Sequence, residues 1–256
     1  MSPVNLAILI TASLFLGMVG CLECGYRLAN RRLKPEGGRA GAGAVEGAIF
    51  GLLGLLIAFT FSGAHTRFEA RRQLVIQESN NIGTAWLRLD LLPPATQPPL
   101  RDLFREYVDA RLAAYAKLPD VPAARAELER SLQLQNDIWT QSVAACKLPE
   151  GQRAIMPLLS ALNAMFDIVT NRTTALKTHT PTIVFGMLGV LALISALLAG
   201  MGMAGATRRS WVHILGFALI ISLTVYVILD LEYPRLGLIR IDSMDQLLRD
   251  VRHDMQ

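Results

Sequence analysis

The stretch that decides the fold is GAIFGLLGLLIAFTFSGA, residues 47–64. It contains no Asp, Glu, Lys or Arg, and a helix of about 20 such residues crosses the ~30 Å hydrocarbon core of a bilayer. The stretch therefore predicts a transmembrane helix. Three further stretches without these charged residues are at least as long, and they lie at residues 4–22, 182–206 and 211–229. The chain is thus expected to span a membrane four times.

The composition agrees with a lipid environment. Apolar residues make up 52% of the 256 residues and charged residues 18%, whereas soluble domains average about 45–50% and about 25%. The net charge is +4, but no run of five or six like charges occurs, so nucleic acid is not an expected partner. The expected partner is the lipid bilayer.

Four crossings place both termini and the long connection 65–181 on one face of the membrane. Basic residues flank the spans on both faces, so the positive-inside rule leaves the orientation open. The first short loop has Arg27, Arg31, Arg32, Lys34 and Arg39, and the opposite face has Arg67, Arg71, Arg72, Lys177, Arg235 and Arg240.

The long connection is predicted to be helical. Apolar residues recur every seven positions at Phe68, Val75, Ile82 and Leu89, which indicates one helical stripe continuing from the second span. Pro93-Pro94 should end this helix, because proline has no backbone N–H. Further helices are expected at about 98–117, 123–146 and 152–179, the last leading directly into the third span.

The predicted fold is therefore all-α. It has four transmembrane helices and a helical soluble domain formed largely by extensions of the second and third spans. The expected domains are 1–64 with the first two spans, 65–181 with the soluble helices, 182–232 with a membrane hairpin, and 233–256 as a C-terminal tail.

Small residues in the second span share one helical face. Gly47, Gly51, Gly54, Ala58 and Ser62 are spaced 4, 3, 4 and 4 residues apart. Such a stripe either packs neighbouring helices closely in lipid or lines a pore, where a ring of phenylalanines can act as a hydrophobic gate. The candidates for lining or gating are Gly51, Gly54, Ala58, Phe59 and Ser62.

Charged residues near the ends of the spans form a second candidate set. Carboxylates so close to hydrocarbon are costly unless they are paired or hydrated. The set is an interfacial ion-pair girdle or, alternatively, an ion-coordinating mouth. Its members are Glu46, Arg67, Arg71, Arg72, Asp230, Glu232 and Arg235.

Polar residues in the predicted helix after the second span suggest a structural role. Glu78 shares a stripe with Arg71 and Ala85 beside the apolar one, and Asn80-Asn81 interrupt good helix formers. Buried polar groups often fix the register or oligomeric state of a helical bundle. No catalytic motif accompanies the four scattered histidines. We therefore expect no enzyme activity, no metal and no cofactor.

Two strings resemble a known family. The first is Phe68-x-x-Arg71-Arg72-x-Leu74-Val75-x-x-Glu78-x-Asn80-x-Ile82-Gly83-Thr84-Ala85-x-Leu87-Arg88-x-Asp90-Leu91-Leu92-Pro93, and the second is Asp230-Leu231-Glu232-x-Pro234-Arg235-x-Gly237-Leu238-Ile239. Both resemble the bestrophin-like domain of mainly bacterial membrane proteins, and the resemblance covers essentially the whole chain.

The resemblance implies a distant relation to bestrophins, which are pentameric anion channels lined by their second membrane helix. It implies a homo-oligomer, inorganic ions as partners, the inner membrane of a bacterial cell, and a cytoplasmic helical connection. The second span here has no proline beside Phe59 and Phe61, where bestrophins place one next to their aromatic neck.

Two functions follow as hypotheses. The first is an oligomeric membrane pore, a bestrophin-like ion channel with the second span around its axis. The second is a non-conducting membrane-anchored scaffold or sensor whose helical domain binds a partner, and it predicts an exposed apolar patch within residues 98–147.

Overall fold

A computed structural model describes residues 3–32, 42–204 and 211–255. Over these ranges the chain is α-helical, with short 3₁₀ turns and no β-strand. The prediction of an all-α fold is confirmed. The helices are α1 Pro3–Arg32, α2 Ala42–Arg88, α3 Gln97–Ala116, α4 Val121–Cys146, α5 Ile155–Lys177, α6 Thr182–Gly202, α7 Trp211–Glu232 and α8 Asp245–Asp254.

Four helical stretches are long and apolar enough to cross a membrane, as the sequence predicts. They are Val4–Arg31, Gly43–Leu91, Pro149–Gly202 and Trp211–Glu232. The chain divides into two compact units, one of residues 1–68 and 179–238 and one of residues 69–178 and 239–256.

In the first unit, α1 packs against α6 and α7. At two glycines of α1 and α6 a side chain would collide with backbone, because Gly25 faces the Leu197 carbonyl and Gly200 faces the Leu22 carbonyl. Small residues allow this approach in lipid, where packing rather than water exclusion holds helices together. The interior also contains large apolar side chains, among them Met18, Leu22, Leu188, Ile214 and Val225.

The second unit is a helical bundle in which α3 packs along α4, and α4 contacts α5. The stripe expected from the sequence is inside, because Val75, Ile82 and Leu89 are fully buried. The C-terminal helix α8 joins this bundle through buried Leu248. The core also includes Leu100, Phe104, Tyr107, Ile138, Leu162 and Met165.

Prolines set several helix boundaries. The helix α2 runs unbroken to Arg88, and a 3₁₀ turn at Leu89–Leu91 precedes the Pro93-Pro94 pair. The prediction that the helix before the third span leads directly into it is wrong. Thr178 is extended and α6 begins only after Pro181, because proline has no N–H and disfavours helix at the preceding residue.

Candidate functional site

The membrane-spanning part of α2 has two different faces. Leu53, Thr60 and Ala64 are buried, with 3%, 6% and 0% of their surface exposed. They lie on one side of the helix, since they are spaced seven and four residues apart. The Thr60 hydroxyl donates to the Leu56 carbonyl at 2.6 Å, so this buried polar group is satisfied within its own helix.

The predicted pore-lining residues lie on the exposed side of the helix. Gly51, Gly54, Ala58, Phe59 and Ser62 are all exposed. Phe59 leaves 67% of its surface uncovered, and a Cβ atom added at Gly51 or Gly54 would meet no atom within 4 Å. The small-residue stripe of α2 therefore has no packing partner within the described part of the chain.

A buried carboxylate lies where α7 ends. Glu232, whose side chain is 2% exposed, pairs with Arg67, and the Arg67 Nη2 to Glu232 Oε1 distance is 2.5 Å. The Thr180 hydroxyl donates to the same oxygen at 2.7 Å. The His179 Nδ1 atom lies 3.3 Å from Glu232 Oε2, and Arg67 also donates to the Thr180 hydroxyl. Both carboxylate oxygens thus have partners, as a buried charge requires.

Asp230 closes the turn after α7. Its Oδ1 atom accepts the backbone N–H of Leu238 at 3.0 Å, and the carboxylate fills the space that a side chain at Gly237 would need. Arg235, in the same turn, is 6% exposed. The Asp230 carboxylate therefore holds the turn that follows α7.

The remaining charged candidates, Arg71, Arg72 and Glu46, have partners or neighbours other than Glu232. Arg71 donates to the carbonyls of Ala175 at 3.1 Å and Thr178 at 2.8 Å, and thereby satisfies the C-terminal end of α5. Arg72 pairs with Glu69 at 2.9 Å. Glu46 is half-buried, and its Oε2 atom would be 3.8 Å from a Cβ atom at Gly202, the last residue of α6.

Glu78 is the centre of a buried ionic cluster in the second unit. Its side chain is fully buried, and its Oε1 atom accepts from Arg111 Nε at 2.6 Å. Arg172 pairs with Oε2. The guanidinium of Arg172 also lies over the Tyr115 ring, 4.3 Å from its centroid, and the Tyr115 hydroxyl accepts from Arg111 Nη2 at 2.7 Å. One carboxylate therefore links α2, α3 and α5.

The two asparagines differ from Glu78. Asn81 donates to the Ala164 carbonyl of α5 at 2.8 Å. Asn80 is exposed on the same helix, so its role in the register of the bundle stays a prediction. It lies two positions from Glu78, which turns it about 200° away on the helix.

Arg111 and Arg172 were not predicted from the sequence, although a signal for them exists. Each follows the buried apolar positions of its helix at helical spacing, Phe104, Tyr107 and Val108 before Arg111, and Met165, Ile168 and Val169 before Arg172. A charge in such a stripe must find a buried partner, and Glu78 is that partner.

The described residues contain no group of His, Cys, Asp and Glu side chains that could hold a metal ion.

A family model described as the bestrophin-like domain matches residues 37–244. The chain belongs to the bestrophin-like domain family. No curated protein and no solved structure matches the chain significantly. This bestrophin-like chain is a membrane protein, and the resemblance stated from its sequence strings is confirmed.

Proposed function

We propose that this bestrophin-like chain forms a homo-oligomeric ion pore with α2 helices around the axis. The observation that carries the proposal is the exposed small-residue face of α2. Small side chains let helices approach closely in a bilayer. A ring of copies joined through α2 would use this face both for subunit contact and for lining the axis.

Within that ring, Phe59 is the proposed gate. Its side chain projects from the exposed face, and a ring of phenylalanines narrows a pore until water leaves it. Gly51, Gly54, Ala58 and Ser62 would leave room along the rest of the axis. The Arg67–Glu232 cluster would hold fixed charges at the end of the spans, near the ion entrance.

The remaining features are proposed from the resemblance to bestrophins. We propose five subunits, an inorganic anion as the conducted species, and the bacterial inner membrane as the location. The second unit is proposed to be a soluble cytoplasmic domain, and the chain is proposed to have no catalytic activity. The buried Glu78 cluster supports a structural role for the centre of this domain.

The scaffold hypothesis receives less support from the surface of the second unit. It calls for an apolar patch within residues 98–147. In α3 and α4 the large apolar side chains with the greatest exposure are Val121 at 55% and Leu132 at 50%. They are eleven residues apart, about 16 Å along a helix, which does not make a contiguous patch.

The test is ion flux into liposomes that contain the purified full-length oligomer. Phe59→Ala removes the proposed constriction, so we expect flux several times higher than that of the wild type. Leu219→Ala is the matched control, since Leu219 is a similarly exposed apolar residue of α7, with 57% of its surface uncovered. It should leave flux unchanged.

An image down the symmetry axis should accompany the flux measurement. The proposal expects α2 helices next to the axis and an opening between them. Vesicles that stay silent although they hold verified, correctly assembled oligomers would contradict conduction and favour the scaffold. An assembly with α2 at its periphery would contradict the assignment of the lining helix.

A further inference from the structure

A cavity of about 450 Å³ lies among the membrane helices of the first unit. For scale, an apolar cavity of about 150 Å³ holds benzene, and ligand sites generally measure about 300–1,000 Å³. Its walls come from α1, α6 and α7, and most of the side chains on them are apolar, among them Leu6, Leu14, Phe185, Val225 and Leu229. The space is therefore large enough for a ligand and apolar along most of its length.

One end of the cavity is polar. His179, Thr180, Glu232 and Tyr233 line this end, and the His179 and Tyr233 rings lie 4.8 Å apart at an angle of 30°. Because Glu232 is neutralised by Arg67, this end carries little net charge. Tyr233 brings a hydroxyl to this end, and a tyrosine hydroxyl can donate a hydrogen bond to an occupant.

The polarity changes along the membrane helices. From the polar end, the lining runs from Thr182 to Gly189 on α6 and from Glu232 to Val225 on α7. Seven residues of helix span about 10 Å, which is most of one leaflet of a ~30 Å hydrocarbon core. The polar end coincides with the start of α6 and the end of α7, and both helices belong to stretches long and apolar enough to cross a membrane.

We propose that this cavity binds one acyl chain of a membrane phospholipid, with the ester and glycerol region at His179 and Tyr233. The order from polar to apolar along the cavity matches the order within a phospholipid at the membrane surface. Apolar walls offer water no hydrogen-bond partners, while lipid chains are the solvent around these helices. The small net charge at the polar end admits zwitterionic and anionic lipids alike.

A large side chain at Gly189 should fill the cavity. Gly189 lines the space, and a Cβ atom added there would meet no atom within 4 Å, so Gly189→Phe should fill the cavity without disturbing the backbone. Gly186→Phe is the matched control on the same helix, because a Cβ atom there also meets nothing and Gly186 is outside the lining.

The experiment uses the full-length protein in phosphatidylcholine vesicles that contain a small fraction of phosphatidylcholine with a diazirine on its acyl chain. After irradiation, labelled peptides are mapped. We expect label concentrated on the cavity-lining parts of α1, α6 and α7. Gly189→Phe should lower this label severalfold, and Gly186→Phe should leave it unchanged. Replacing the probe with its phosphatidylglycerol counterpart should give the same pattern.

Label spread evenly over all the membrane helices and insensitive to Gly189→Phe would overturn the proposal. So would cross-links showing that a second copy of the chain fills the cavity. If Gly189→Phe does not fold, native mass spectrometry of the wild type tests whether the cavity binds a phospholipid. A phospholipid retained after detergent removal, and lost more readily from Tyr233→Phe, supports the site, whereas no retained lipid contradicts it. Neither result depends on whether the oligomer conducts.

Discussion

The two halves of α2 differ in where their partners lie. In residues 69–88, Val75, Glu78, Ile82 and Ala85 are fully buried within the second unit. In the membrane-spanning half, Gly51, Gly54, Ala58 and Ser62 are exposed, whereas Leu53 is buried. In the half at residues 69–88, the buried face of α2 therefore packs within the protomer. In the other half, the helix presents a face that fits lipid or another copy.

The variant with the largest expected effect on stability is Glu78→Ala. It leaves the guanidinium groups of Arg111 and Arg172 without the carboxylate that pairs with both. Removing one partner of a buried ion pair costs about 3–5 kcal/mol, so we expect the second unit to unfold at much lower denaturant. Fluorescence of Trp86 and Trp139, both in that unit, measures the transition.

Asn80→Ala is the control for that variant, because Asn80 is exposed on the same helix. It should change the unfolding free energy of the second unit very little. Equal effects of the two variants would show that the Glu78 cluster does not hold the bundle together.

An identical substitution in each half of α2 tests the comparison directly. Ala85→Leu enlarges a fully buried side chain, and overpacking of a core costs about 1–3 kcal/mol. Ala58→Leu enlarges an exposed one and should leave protomer unfolding in detergent unchanged while weakening the oligomer. Unfolding curves and the mass of the assembly in detergent measure the two effects.

The result that would break the comparison is a loss of protomer stability in Ala58→Leu similar to that in Ala85→Leu. It would mean that the small-residue face of α2 packs inside the protomer. If Ala58→Leu left the oligomer unchanged, this face would not be part of the subunit contact.

Glu232→Gln should have a smaller effect on the first unit. This variant keeps the shape of the side chain but removes the negative charge of the carboxylate, which pairs with Arg67 and accepts a hydrogen bond from Thr180. Hydrogen bonds to charged groups contribute about 1.5–3 kcal/mol. Arg67 is 28% exposed, so we expect a loss at the lower end, measured as thermal unfolding in micelles.

Asp254→Asn is the control for the loss of a carboxylate, because the Asp254 side chain is 84% exposed. It should leave the unfolding temperature nearly unchanged. If Glu232→Gln were equally silent, the cluster at the end of α7 would not stabilise the first unit.

The smallest effect is expected for Lys117→Ala in the second unit. The hydrogen bond from Lys117 lowers the pKa of the Glu127 carboxyl in the folded protein, and such a surface pair contributes about 0–1 kcal/mol. A lowered pKa means that this contribution is present at neutral pH. It is lost as the pH falls through the folded-state pKa.

Denaturant unfolding of wild type and Lys117→Ala should therefore differ slightly at pH 7, and the difference should shrink as the pH falls below the ordinary Glu pKa of ~4.3. A difference that grows as the pH falls would contradict the assigned sign.

Much of the fold follows from the sequence. The four uncharged stretches predict membrane helices because lipid accepts a backbone only when its hydrogen bonds are satisfied within the segment. The seven-residue stripe from Phe68 to Leu89 predicts the continuation of α2. The 4-3-4-4 spacing predicts that the small residues share a face, since it follows from helical geometry alone.

The spacing could not tell what that face contacts. The tertiary structure places it away from the packing side of α2 within the protomer. It also assigned the partners of Glu78, since Arg111 and Arg172 lie 33 and 94 residues away in sequence.

Local periodicity determined which segments are helices and which residues share a face, because both depend on neighbours within a few turns. The tertiary structure alone decided which charges meet and where a cavity remains between helices. Those outcomes depend on how separate helices pack, and no spacing within one helix contains that information.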